Sequence, residues 1–143
     1  MNQSQAKKLI CLDKNVDPLA LKMVNTYQYI TKVFEWVHEF CQENMCFSNA
    51  MNVAMVDRCD AVTGCAIHNF STFFFHAWNR DSEGDFDLTR DIFLDPIGKE
   101  NIVYFELVHF PYLEVARRYD LKIGIDHETL ARETLYKTLF NYK

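Results

Sequence analysis

The stretch that decides the fold is Phe73-Phe74-Phe75-His76-Ala77-Trp78-Asn79-Arg80-Asp81-Ser82-Glu83-Gly84-Asp85-Phe86-Asp87-Leu88-Thr89. Its first part is aromatic and β-prone, so 73–79 reads as a strand. Arg80 to Gly84 is rich in Asp, Ser, Glu and Gly, the composition of a tight turn. Asp85 to Thr89 alternates polar and apolar residues, as a half-buried strand does. The stretch therefore predicts an antiparallel hairpin. With the turn centred on Ser82-Glu83, Asp87 stands beside His76 or one pair away.

Working outward, Val62 to Ile67 predicts a strand before the hairpin, and Ile102 to Phe110 one after it. Pro111 opens a short helix through Tyr119. Asp126 caps a last helix whose inner stripe is Leu130, Ala131, Thr134, Leu135, Thr138 and Leu139. On the N-terminal side, Gln42 to Met45 is a polar loop. A helix begins at Cys46 and runs through Ala50, Val53 and Ala54 to about Val56. Further back, Val24, Tyr27, Ile30, Phe34 and Val37 recur at helical steps, which predicts a helix from Leu19 to about Phe40 started by Asp17-Pro18. Leu9 to Leu12 is a candidate short edge strand. Helices, then strands, then helices favour an α+β fold, with N-terminal helices packed on a small antiparallel sheet and a C-terminal helix.

The 143 residues fit a single domain over 1–143, large enough to bury a core without disulfides or metal. Hydrophobic residues reach 49% and aromatic residues 15%, which excludes a disordered chain and predicts a core rich in rings. The net charge of −5 argues against nucleic acid or an anionic membrane as partner, because both reward a basic face. No apolar run suits a signal peptide or a membrane span, so a cytoplasmic location is expected. The five cysteines, Cys11, Cys41, Cys46, Cys59 and Cys65, are odd in number and form no CxxC pair, which predicts reduced thiols. Zinc-type spacing and phosphate-binding glycine loops are absent, so neither metal nor cofactor is expected.

Three residues could carry chemistry together. Cys46 opens a helix after a polar loop, where backbone N–H groups and the helix dipole favour a thiolate. His76 shares a strand face with Phe74 and Trp78, a shielded and fixed position suited to a base. Asp87 on the paired strand can orient that histidine and stabilise its imidazolium. Taken singly, each has a plainer structural use: a buried thiol, a hydrogen-bonded core histidine, a solvated carboxylate. His68, after the first strand, is the alternative base. Trp78 and Asn49 are candidates for contacting substrate, Trp78 having a core ring as its plainer use.

Cys46-Phe47-Ser48-Asn49-Ala50, Gly64 in a strand, His76-Ala77-Trp78-Asn79 and Asp87-Leu88-Thr89 together resemble the core of papain-like cysteine enzymes. The likeness runs over about 42–118. It is nearest to the branch holding transglutaminase-like proteins, arylamine N-acetyltransferases and small bacterial or phage cysteine hydrolases. The resemblance implies Cys46 as nucleophile, His76 as base and Asp87 as orienting acid. It also implies a residue shortly before the Cys that donates to an oxyanion, for which Gln42 and Asn44 are the candidates. The expected activity is acyl transfer on a protein, peptide or small acyl substrate, by hydrolysis, deamidation or transfer to an amine. The alternative is a catalytically silent binding or inhibitor module on the same fold, such as a phage or mobile-element accessory protein.

Overall fold

The computed structural model describes residues 21–27, 41–42, 45–69, 72–93, 102–122, 124 and 126–140. Along the chain these form β1 (Lys22–Val24), α1 (Cys46–Asp57), β2 (Asp60–His68), β3 (Thr72–Asp81), β4 (Gly84–Phe86), α2 (Leu88–Phe93), β5 (Ile102–Phe110), α3 (Tyr112–Asp120) and α4 (His127–Phe140). The fold is α+β. Its five strands make one antiparallel sheet in the order β1-β5-β2-β3-β4. Among the described residues, no helix is long and apolar enough to cross a membrane.

The sheet is curled. Val24 pairs with Tyr104 on β5 at one edge, and two residues later Thr26 bridges Asp85 on β4 at the other edge. The Tyr27 amide donates to the Asp85 carbonyl at 2.8 Å and fixes that crossing. One chain segment thus ties together the two ends of the strand order.

Strand β2 lies at the centre and is buried on both faces from Ala61 to Ile67, which explains its nearly unbroken small and apolar sequence. On the inner face of the curl, Val62, Ala66, Trp78 and Tyr104 pack together, with Val24, Phe74 and Ile102 around them. The outer face meets the helices. Ala61, Phe86 and Phe110 pack on Val53, Ala54 and Val115, while Cys65, Ile67 and Phe105 pack on Leu135. A polar ladder closes one end of the inner face. Arg80 on β3 bonds Asp85 on β4 at 2.5 Å and Glu106 on β5 at 2.6 Å, and Lys22 on β1 bonds Glu106 at 2.9 Å.

Gly64 is where the curl is tightest. It faces His76 on one side and Glu106 on the other, beside a bulge in the β2–β5 pairing. A Cβ there would lie 2.0 Å from the Phe105 carbonyl oxygen and 2.7 Å from Trp78 Cη2. Neither the backbone nor a ring locked in the core can give way cheaply.

The predicted hairpin is present with its two-residue Ser82-Glu83 turn, pairing Asp81 with Gly84 and Asn79 with Phe86. Asp81 Oδ1 accepts from the Glu83 and Gly84 amides and holds the turn. The returning strand is shorter than expected, ending at Phe86 rather than Thr89. Asp87 instead caps α2, its Oδ1 accepting the Arg90 amide at 3.2 Å and its carbonyl the Asp91 amide at 3.0 Å. The expected helix from Leu19 to Phe40 is also corrected at its start, because Lys22–Val24 pairs as an edge strand. Thr26 and Tyr27 of the same segment bridge to Asp85 instead of continuing a helix, and residues 28–40, like Leu9 to Leu12 and Asp17-Pro18, lie outside the described residues. The C-terminal helix has the expected Asp126 cap, bonded to the Thr129 amide, and buries Ala131 and Leu135 of its stripe.

Gly64→Ala is expected to destabilise the fold by about 2 kcal/mol or more, the overpacking penalty of an unyielding site. Urea unfolding checks this, and an unchanged midpoint would show that the β2–β5 contact relaxes.

Candidate active site

Helix α1 starts at Cys46, its first intrahelical bond running from the Asn49 amide to the Met45 carbonyl at 2.8 Å, and Met45 supplies no side-chain cap. The amides of the first turn are left to point outward from the helix start. Cys46 is half-buried at this end. The other described cysteines, Cys41, Cys59 and Cys65, are buried. Burial pushes the Cys41 thiol up to about 11 and, with help from nearby Asp57, the Cys59 thiol to about 12. Both are inert thiols at neutral pH.

The loop before Cys46 is held by Asn49. Its side-chain oxygen accepts the Gln42 amide at 2.9 Å, and its nitrogen donates to the Gln42 carbonyl at 2.8 Å and to Thr89 Oγ1 at 2.9 Å. One buried amide therefore joins the loop, the helix that Cys46 opens and the helix that Asp87 caps. The far side of the first turn is braced by α4, where His127 stacks on Phe47 at 5.1 Å and pairs with Thr63 Oγ1 at 2.6 Å. Burial holds His127 down at about 4, so its ring is neutral at physiological pH.

His76 projects from β3 into the inner face, opposite the bare Gly64, with Phe74, Trp78 and Tyr104 rings around it. Its Nε2 meets Asp87 Oδ2 at 2.6 Å. Nε2 is engaged by Asp87, and Cys46 lies near enough to the ring to raise its affinity for a proton. Burial opposes a charge on His76. The charge and hydrogen bond of Asp87, joined by those of Cys46, outweigh it and push the imidazole up to about 10. The ring is an imidazolium at neutral pH. Asp87 is itself buried, which alone would favour its neutral form. The His76 charge and hydrogen bond, then Tyr104 and Arg90, overcome that and hold it below the usual carboxylate range. The crevice behind it, lined by Asn49, Ala77, Trp78 and Leu88, has no room for a water molecule.

Comparison of the chain with protein-family models, with curated proteins and with solved structures returned no match.

Three predicted residues, Cys46, His76 and Asp87, come together. Gln42 is exposed four residues before Cys46 with its backbone locked by Asn49, and Asn44 lies outside the described residues. Two substrate-contact candidates are corrected. Trp78 is 1% exposed and donates from Nε1 to Asp85 at 2.9 Å, and Asn49 is 2% exposed and fully engaged by Gln42 and Thr89, so both are internal supports. His68 is excluded as the base by register. It sits opposite Thr72, four residues along β2 from the Gly64–His76 pair, or about 13 Å away. Among the described residues, no group of three His, Cys, Asp or Glu side chains is placed to hold a metal ion.

Tyr104 and Arg90 were missed from sequence. Tyr104 Oη donates to Asp87 Oδ2 at 2.8 Å, and Arg90 Nη1 donates to Tyr104 Oη at 3.2 Å. The available signal was a tyrosine inside the apolar run Val103-Tyr104-Phe105, since a buried phenol needs a partner for its hydroxyl.

The folded His76 value lies above the ordinary 6.5, so the pair's contribution to stability is full below pH 6.5 and is lost as pH rises through about 10. The urea midpoint is expected to fall across that window, and Asp87→Asn to lower the midpoint at pH 6 and flatten the decline. Parallel curves for the two proteins would contradict the ion pair.

Proposed function

We propose that this chain is a cysteine-dependent acyl-transfer enzyme on a papain-like core, with Cys46 as nucleophile, His76 as proton carrier and Asp87 as orienting acid. The observation that carries this reading is the buried His76–Asp87 pair at 2.6 Å, with Cys46 at the start of α1 near enough to act on the same imidazole. The chain order Cys, His, Asp, the nucleophile at a helix start and the base on a sheet strand all agree with it.

In the reaction, His76 holds the proton taken from Cys46 before substrate arrives. The thiolate sulfur bonds to the acyl carbon of an amide, isopeptide or thioester. The carbonyl π electrons move to its oxygen, where the Cys46 amide and a donor from Gln42 or Asn44 stabilise the charge. Collapse breaks the bond to the leaving nitrogen or sulfur, which takes the proton from His76 Nδ1. Water or an amine then attacks the thioester and gives its proton to His76, and the Cys46 thiolate departs. Hydrolysis, deamidation and transfer differ only in the leaving group and the second nucleophile. Free thiols suit the reducing cytosol. The acidic chain suits protein, peptide or small acyl substrates rather than nucleic acid or membrane.

The test is alkylation by iodoacetamide, followed for each cysteine by mass spectrometry. At pH 7 Cys46 is expected to react at least roughly tenfold faster than the other four, and His76→Ala to remove that advantage. Equal rates for Cys46 and the buried cysteines would overturn the enzyme reading in favour of a silent binding module.

A further inference from the structure

The Asp87 carboxylate has more support than a two-residue pairing with His76 requires. Its Oδ2 accepts twice, from His76 Nε2 at 2.6 Å and Tyr104 Oη at 2.8 Å, while Oδ1 accepts the Arg90 amide. The Tyr104 hydroxyl in turn accepts from Arg90 Nη1, whose guanidinium also lies 5.7 Å from the centre of the Tyr104 ring. Arg90 is anchored by Thr26 Oγ1, at the crossing where the sheet curls shut, and by Asp91. A hydrogen-bonded chain therefore runs from a guanidinium through a phenol and a carboxylate to an imidazole, with Cys46 beyond it.

We propose that Tyr104, polarised by Arg90, is a positioning residue that keeps Asp87 ionised and aimed at His76, making it the fourth member of the site. This rests on the acyl-transfer reading and deepens it. A carboxylate this deeply buried loses its charge unless several donors replace water. The His76 bond alone fixes one oxygen along one direction, whereas two donors on Oδ2 and one on Oδ1 fix the plane of the group. Burial and the Asp87 charge both keep the phenol protonated, so toward Asp87 Tyr104 acts as a donor while its oxygen accepts from Arg90. The titratable groups that act on the carboxylate come from separate elements, His76 from β3, Tyr104 from β5 and Arg90 from α2, with Asp91 against Arg90, Cys46 of α1 beyond the imidazole, and Asp85 of β4 one step removed, behind Trp78. Asp85 is committed to Arg80 and Trp78. Among the described residues, Tyr104 and Arg90 are the side chains besides His76 that act on the Asp87 charge.

The test uses the full chain. The ionisation of Asp87 is read from its carboxyl carbon-13 shift as the pH is lowered from 8 to about 2, below the ordinary carboxylate range, together with Cys46 alkylation rates at pH 5.5 and 8. Tyr104→Phe removes one oxygen and keeps the ring between Trp78 and His76. It is expected to raise the Asp87 midpoint by about one pH unit, the scale of one lost hydrogen bond to a charged group. Alkylation is expected to slow more at pH 5.5 than at pH 8. Replacing Tyr104 with 3-fluorotyrosine, a stronger donor, should move the midpoint the other way and covers the case in which the phenylalanine variant folds poorly. If neither substitution moves the midpoint or the ratio of the two rates, Tyr104 is only a core ring and the proposal is overturned. If the midpoint moves but Cys46 is no more reactive than Cys41 or Cys59 in the unsubstituted chain, Tyr104 does hold Asp87 and the acyl-transfer reading is what falls.

Discussion

A carboxylate in a dry interior is stable only when donors surround it, and Asp87 is 1% exposed. The donors come from separate parts of the chain: a strand imidazole, a phenol two strands away, and the amide of the helix that Asp87 itself caps. Each must be in place for the charge to persist, so the position of this one group demands the hairpin, the start of α2 and the pairing of β5 against β2. The same charge keeps His76 protonated where burial alone would strip it. The site's chemistry and much of its geometry follow from where Asp87 can afford to be ionised.

The curl of the sheet makes that gathering possible. Tyr104 and His76 lie on strands separated by β2, and they approach because β2 carries Gly64 and Ala66 rather than larger residues on the inner face. At Gly64 the Phe105 backbone and the Trp78 ring occupy the space of a side chain. The Thr26–Asp85 bridge then draws β4 toward β1, setting Arg90 against both Thr26 and Tyr104. Outside the curl, apolar helix faces bury the opposite side of the same strands. Among them α1 presents its N-terminus, and so Cys46, toward the histidine.

Much of this was legible in the sequence because it depends on local pattern. Alternation and turn chemistry located the hairpin, and the Asp126 cap and the stripe through Ala131 and Leu135 located the last helix. The residues Cys46, His76 and Asp87 were legible because each sits at a local landmark: a helix start, an aromatic strand, a position just past a two-residue turn. Other features escaped for physical reasons. Asp85 to Thr89 alternates as a strand would, and this hid the capping role of Asp87, which competes for the same residue. Lys22–Val24 lies within a run of helical spacing, but pairing with β5 overrides so short a local preference. Tyr104 and Arg90 reach Asp87 across 17 and 3 positions of chain, and the longer contact depends on the curl. Asn49 looked available to a substrate because its bonds to Gln42 and Thr89 are tertiary, and no local spacing announces them.

The central claim is that a buried carboxylate holds His76 as an imidazolium beside Cys46. Nitrogen-15 shifts of the His76 ring, followed from pH 5 to 10, test it most directly. The account predicts two protonated ring nitrogens through pH 8, with deprotonation only near pH 10, and a return of the titration to 6.5 or below in Asp87→Asn. A neutral His76 ring at pH 7 in the unsubstituted chain would contradict it.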